Sequence, residues 1–114
     1  FRISNQIVFL EIKDDVVLDL DVAATITSDR MQFQNDKSYP VLFDINGLSD
    51  TDKSGRDYMA HYGWFLTTRV GIVAKTFKGL TIAKFYLLLG KPTIATKIFS
   101  AENIALRFLQ SRTE

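Results

Sequence analysis

The chain has 114 residues, a size suited to one domain with a substantial core. Hydrophobic residues at 46 % and charged residues at 24 % exclude a disordered chain, and the lack of cysteine excludes disulfides, thiolate metal sites and cysteine nucleophiles. The net charge of +1 conceals a polarity: residues 1–57 hold eleven acids and six bases (−5), residues 58–114 two acids and eight bases (+6).

Residues 1–4 and 6–13 read as extended, with Val8, Leu10 and Ile12 alternating against Phe9, Glu11 and Lys13 and a tight turn at Asn5-Gln6. Asp14-Asp15 ends the pattern. Asp19 or Asp21 is a good N-cap for a helix to about Asn35, whose apolar stripe of Val22, Ala23, Ile26, Met31 and Phe33 is imperfect. The apolar run 41–45 reads as a central strand covered on both faces, and Asn46-Gly47 turns the chain. A second helix is expected over 51–67 with Tyr58, Tyr62, Phe65 and Leu66 on one face, and a short buried strand over 70–74. A third helix is expected over 79–89, stopped by Gly90-Lys91-Pro92, then a strand alternating through Ile94, Thr96 and Ile98. The last helix has the cleanest spacing, with Ala101, Ile104, Ala105, Phe108 and Leu109 at i, i+3, i+4, i+7, i+8 after Ser100.

The order β-β-α-β-α-β-α-β-α predicts a single α/β domain, with a mostly parallel sheet, an antiparallel edge strand and packed helices. Without internal repeats, linkers or low-complexity stretches, residues 1–114 form one unit. The longest apolar stretch, 80–89, is about half of the ~20 residues a membrane span requires, so no transmembrane segment is expected. No basic-then-apolar leader follows Phe1, and a reducing, cytoplasmic setting fits a chain without cysteine.

The chemistry-bearing residues are sparse. His61 is the single histidine, which rules out a multi-histidine metal site, and neither a calcium loop nor a phosphate-binding glycine loop is present. Ser54, Asp57 and His61 fall on one helix face, but a hydrolytic triad needs the histidine between the serine and the acid. Asp57 and His61 are instead expected to form a surface i, i+4 pair. No catalytic, cofactor or metal residues are therefore expected, and the chain is not expected to be an enzyme. Asp44 ends its strand at the carboxyl edge, where open α/β sheets place ligands. The favoured alternative is that its carboxylate caps the Asn46-Gly47 turn.

The helix over 79–89 is apolar almost all round, broken by Thr81 and Lys84 and surrounded by Lys75, Lys78, Lys84 and Lys91. Such a helix is either wedged deep in the core or exposes a patch for a protein partner, a second copy or an anionic lipid surface. The charge polarity reads likewise as a face for an anionic partner or, preferably, as two halves that neutralise each other on folding. The candidate face comprises Asp44, Tyr58, Lys78, Lys84, Phe85 and Leu88. Nucleic acid is not expected, since the basic stretch lacks interleaved aromatic stacking residues and the pI is 8.2.

The run Val41-Leu42-Phe43-Asp44-Ile45-Asn46-Gly47-Leu48, followed by Asp52-Lys53-Ser54-Gly55, resembles the STAS family, the SpoIIAA-like anti-sigma-factor antagonists. Asp52, Ser54 and Gly55 match that family's Asp-Ser-Ser-Gly segment, while Lys53 departs from it. The stretches Tyr39–Ile45, Arg56–Ala60 and Lys91–Phe99 are similar to uncharacterised bacterial STAS/SEC14-type proteins. The resemblance implies a non-catalytic, bacterial regulatory or protein-interaction domain, with Ser54 where the family is phosphorylated. The alternative is binding or sensing of a small apolar or lipid-like ligand through the 79–89 helix.

Overall fold

A computed structural model describes residues 1–110 of the chain. Its elements run β1 (Arg2–Ser4), β2 (Ile7–Glu11), β3 (Val16–Leu18), α1 (Leu20–Gln34), β4 (Tyr39–Asp44), β5 (Leu48–Thr51), α2 (Lys53–His61), β6 (Thr67–Val73), α3 (Phe77–Phe85), β7 (Thr96–Phe99) and α4 (Glu102–Gln110). Five strands form one sheet in the order β1-β2-β4-β6-β7, parallel except for the β1–β2 hairpin at the edge. Asn5 and Gln6 both take positive φ (51° and 63°), the left-handed pair that matches a two-residue hairpin turn to strand twist.

Strand alternation divides the core. Val8, Leu10, Val41, Phe43, Val70 and Ile72 face a cluster shared with Met59, Trp64, Ala83 and Tyr86, while Ile7, Leu42 and Val73 face Ala105 and Leu109 of α4. The sheet is thus covered on both faces, as the apolar run through β4 predicts.

The expected element order lacks two strands. β3 and β5 pair in parallel as a separate two-stranded sheet, and β5 fills the connection between the Asn46-Gly47 turn and the expected start of the second helix at 51. Gly47 permits this: a Cβ there would collide with the carbonyl oxygens of Ile12 and Lys13, so only glycine lets the turn pass beneath the end of β2. Leu18 then anchors the junction, its carbonyl accepting from Asp52 N at 3.2 Å and Thr51 Oγ1 at 3.0 Å.

Helix α2 stops at His61 rather than near Thr67, because Trp64 must enter the core. Trp64 packs edge-on against Phe43 at 5.3 Å, and its Nε1–H donates to the Tyr86 hydroxyl at 2.7 Å. The turn is gripped from α1: Arg30 Nη2 donates to the carbonyls of Gly63 and Phe65, both at 2.7 Å, and Nη1 to Gln34 Oε1 at 2.6 Å. Gln34 Nε2 donates onward to the Lys37 and Leu66 carbonyls. Leu66 is held at φ 63°, a conformation that a branched side chain adopts only when its surroundings impose it.

Burial holds the Tyr86 hydroxyl protonated well above the ordinary tyrosine range, against the smaller opposing effect of the Trp64 hydrogen bond. With the folded pKa raised, this contribution to stability is complete below about pH 10, the unfolded tyrosine value, and is lost as pH climbs beyond it. Tyr86→Phe is expected to cost about 2 kcal/mol by leaving a buried indole N–H unpaired. The checks are denaturant unfolding, which should lose less stability above about pH 10 in the variant than in the wild type, and a shifted emission of the single tryptophan.

Candidate functional site: the groove between α3 and β5

Helix α3 begins two residues earlier than its apolar pattern suggests. Thr76 is the N-cap, its Oγ1 accepting from Gly79 N at 3.0 Å, which brings Phe77 and Lys78 into the first turn. The α-helix ends at Phe85, and residues Tyr86–Gly90 continue as a π-turn. Ala83 and Tyr86 face the core, leaving four large apolar side chains outside: Phe77 is 86 % exposed, Leu88 69 %, Leu89 54 % and Phe85 49 %. Lys75, Lys78, Lys84 and Lys91 are exposed as well. The two readings of this helix are therefore decided for the exposed one.

Between α3 and β5 lies a groove of about 400 Å³. Ser49, Asp50 and Thr51 form one wall, Phe77, Lys78, Thr81, Ile82 and Phe85 the other, and Arg56 of α2 lies among them. Each wall starts just beyond the carboxyl end of a parallel strand, β4 for β5 and β6 for α3, where open α/β sheets place their ligands. Arg56 is half-buried, and its Nε is sealed from solvent with no hydrogen-bond partner. Asp50 Oδ1 accepts from Thr51 N at 2.8 Å. The groove holds two cationic side chains and one carboxylate among phenylalanines, a layout that can seat an apolar group carrying negative charge.

Of the sequence-derived face, the groove unites Lys78 and Phe85. Leu88 and Lys84 are exposed on the same helix and π-turn but do not line it. Tyr58 is half-buried against Tyr62, with ring centroids 5.5 Å apart. Asp44 lies elsewhere and caps its turn: Oδ1 accepts from Asn46 N at 3.0 Å and from Asn46 Nδ2 at 2.7 Å. Asn46 Oδ1 in turn accepts from Lys75 N at 2.7 Å, tying the ends of β4 and β6 together. Asp44 and Glu11 border two hollows, one of about 170 Å³ beside Phe1 and Arg2 and one of about 420 Å³ beside Lys13, Asp14 and Gly47. A further hollow of about 520 Å³ near Trp64 is lined by His61 and Tyr62 but by no acidic or other basic side chain.

Ser54 is exposed in the first turn of α2. Asp57 pairs with Lys53 at 2.6 Å rather than with His61, because the lysine one turn back reaches it first. The hydrogen bond from Lys53 holds the Asp57 carboxyl below its usual pKa. Among the described residues no salt bridge joins the acidic half to the basic half, so the expected mutual neutralisation is not made by ion pairs. Arg56 and Phe77 escaped the sequence reading. The Thr76-x-x-Gly79 cap was the available signal for Phe77; nothing local marks an arginine as unpartnered.

Among the described residues no helix is long and apolar enough to cross a membrane. Neither a curated protein nor a solved structure matches the chain. Residues 1–113 match the profile of a family described as a domain of unknown function, DUF7793, and the chain belongs to that family.

Proposed function

We propose that the chain is a non-catalytic docking domain, a regulatory protein-interaction module like the anti-sigma-factor antagonists it resembles, which binds a partner protein through the exposed side of α3. One observation carries this reading: Phe77, Phe85, Leu88 and Leu89 stand in solvent on one helix and its π-turn, an apolar surface of the kind that marks a contact site. The lysines around it favour a partner with acidic groups at its rim. A docking role also fits the commitments of the acids, since Asp44 serves a turn and Asp57 a surface ion pair.

Affinity capture with the full chain from the source cell, followed by reconstitution with the purified partner, tests the reading. Phe85→Asp is expected to weaken the purified complex about a hundredfold, because a charge would have to be desolvated at the contact. A complex unchanged by Phe85→Asp contradicts the reading. Ser54→Glu adds the negative charge of a phosphoserine mimic at the start of α2 and is expected to shift the same affinity; an unchanged value removes the switch and leaves the docking role.

A second reading is favoured by Arg56 lying among phenylalanines in a groove of ligand size: capture of a small lipid-like anion. Native mass spectrometry of the freshly purified chain should then show a bound species lost in Arg56→Gln, and a bare chain contradicts this reading.

A further inference from the structure

The wall that β5 contributes to the groove is an open strand edge. β5 has one neighbour, β3, in its two-stranded sheet. In such a pair the outer strand directs alternate backbone groups away from its partner, where a further strand can bond them. The structure shows this at two consecutive residues. Asp52 N points inward to the Leu18 carbonyl at 3.2 Å, whereas Thr51 N has no strand to bond and takes the carboxylate of its own neighbour, Asp50, at 2.8 Å. The edge is four residues long with a register shift near its start, short enough to stay unpaired in the free chain.

Opposite this edge runs the apolar side of α3. An open edge facing a helix across a groove is the geometry in which an extended peptide adds as a strand: its backbone bonds the edge while every second side chain rests on the helix. Phe77, Ile82 and Phe85 supply the apolar rests. Arg56, just past the carboxyl end of β5, supplies the charge. Among the described residues its side chain makes no hydrogen bond or salt bridge, acting on the neighbouring Asp57 carboxylate only through its charge, and only its Nε is sealed, so the terminal nitrogens remain open to a carboxylate. Lys78 adds a second positive charge on the facing wall.

We propose that the groove takes an extended, acid-bearing peptide segment of a partner protein as an added strand on β5, with apolar side chains on Phe77, Ile82 and Phe85 and a carboxylate on Arg56. This rests on the docking reading and names the form of the partner. Asp50 then acts as a placeholder that the peptide backbone displaces from Thr51.

The test is binding of the labelled full chain to an array of synthetic hexapeptides, each position varied in turn. The wild type is expected to select aliphatic or aromatic residues at alternate positions and to prefer glutamate over glutamine about tenfold at one position. Arg56→Gln should abolish that acid preference, and Asp50→Ala should tighten binding severalfold by freeing Thr51 N and removing a like charge. N-methylation of alternate peptide amides should abolish binding without altering the protein. An array with no selected peptide, N-methylated peptides that bind as well as their parents, or an acid preference that survives Arg56→Gln overturns the proposal. If any of these results appears while Phe85→Asp still disrupts the reconstituted complex, the added strand is refuted and the docking role stands; if Phe85→Asp also has no effect, both fall.

Discussion

Arg30→Met is expected to cost about 4 kcal/mol and to lower the thermal midpoint by roughly 15 °C. Arg30 is fully buried, with no salt-bridged carboxylate among the described residues, and burial pulls its pKa down to about 10, which leaves it charged at neutral pH. Replacing a whole buried ionic cluster with apolar groups can be neutral or stabilising, because the desolvation cost disappears with the charge. Here the acceptors stay behind. Gly63 O, Phe65 O and Gln34 Oε1 each lose a donor, and an unpaired buried acceptor costs about 1–3 kcal/mol. Methionine retains the stem that packs near Trp64, 5.6 Å from the guanidinium carbon, so the loss reports hydrogen bonding rather than a void. Thermal and urea unfolding check the value. A loss under 1 kcal/mol would mean that the turn over 62–66 holds its left-handed Leu66 without Arg30.

Gly55→Ala is expected to cost about 3 kcal/mol and to disrupt the groove as well. A Cβ at Gly55 would collide with the Leu18 carbonyl, which is backbone and cannot rotate aside. The same carbonyl accepts from Asp52 N and Thr51 Oγ1, and Gly55 N bonds the Asp52 cap at 2.8 Å. Moving α2 outward to admit the methyl group strains all three bonds and displaces Arg56 from the groove. The expected readouts are a lowered urea midpoint and, at temperatures where the variant stays folded, weaker partner binding. Ser54→Ala, one residue away and exposed, should leave stability within about 0.5 kcal/mol. That contrast separates the two motif positions: Gly55 is required by packing, and Ser54 is free for another role.

The sequence made the parallel sheet legible because the runs over 41–45 and 70–74, at the carboxyl ends of β4 and β6, are short and apolar, as doubly covered strands require. Helix α4 was equally plain: Ala105 and Leu109, four residues apart, face the sheet. Helix α1 shows the limit of apolar periodicity. Its buried face is Ala23, Thr27, Arg30 and Gln34, a regular helical spacing carried by polar side chains, so Phe33 was read into a stripe from which it is 40 % exposed. β3 and β5 were missed because three- and four-residue strands are too short to establish a period, and Leu48-Ser49-Asp50-Thr51 reads as a helix approach. The apolar character of Tyr62, Phe65 and Leu66 predicts a longer α2; the grip of Arg30 on the Gly63 and Phe65 carbonyls, 33 and 35 residues away in the chain, ends it. Of the groove, Lys78 and Phe85 were legible in the sequence. Arg56 with its unbonded Nε and the open edge of β5 exist only once the fold has placed them.

Hydrogen–deuterium exchange on the reconstituted complex tests the docking account most directly. Protection on partner binding is expected to concentrate in residues 48–51 and 77–89, with the Thr51 amide slowed most and α4 unchanged. Protection centred on α4 or on the exposed side of α1, with 48–51 and 77–89 exchanging as in the free chain, would contradict it.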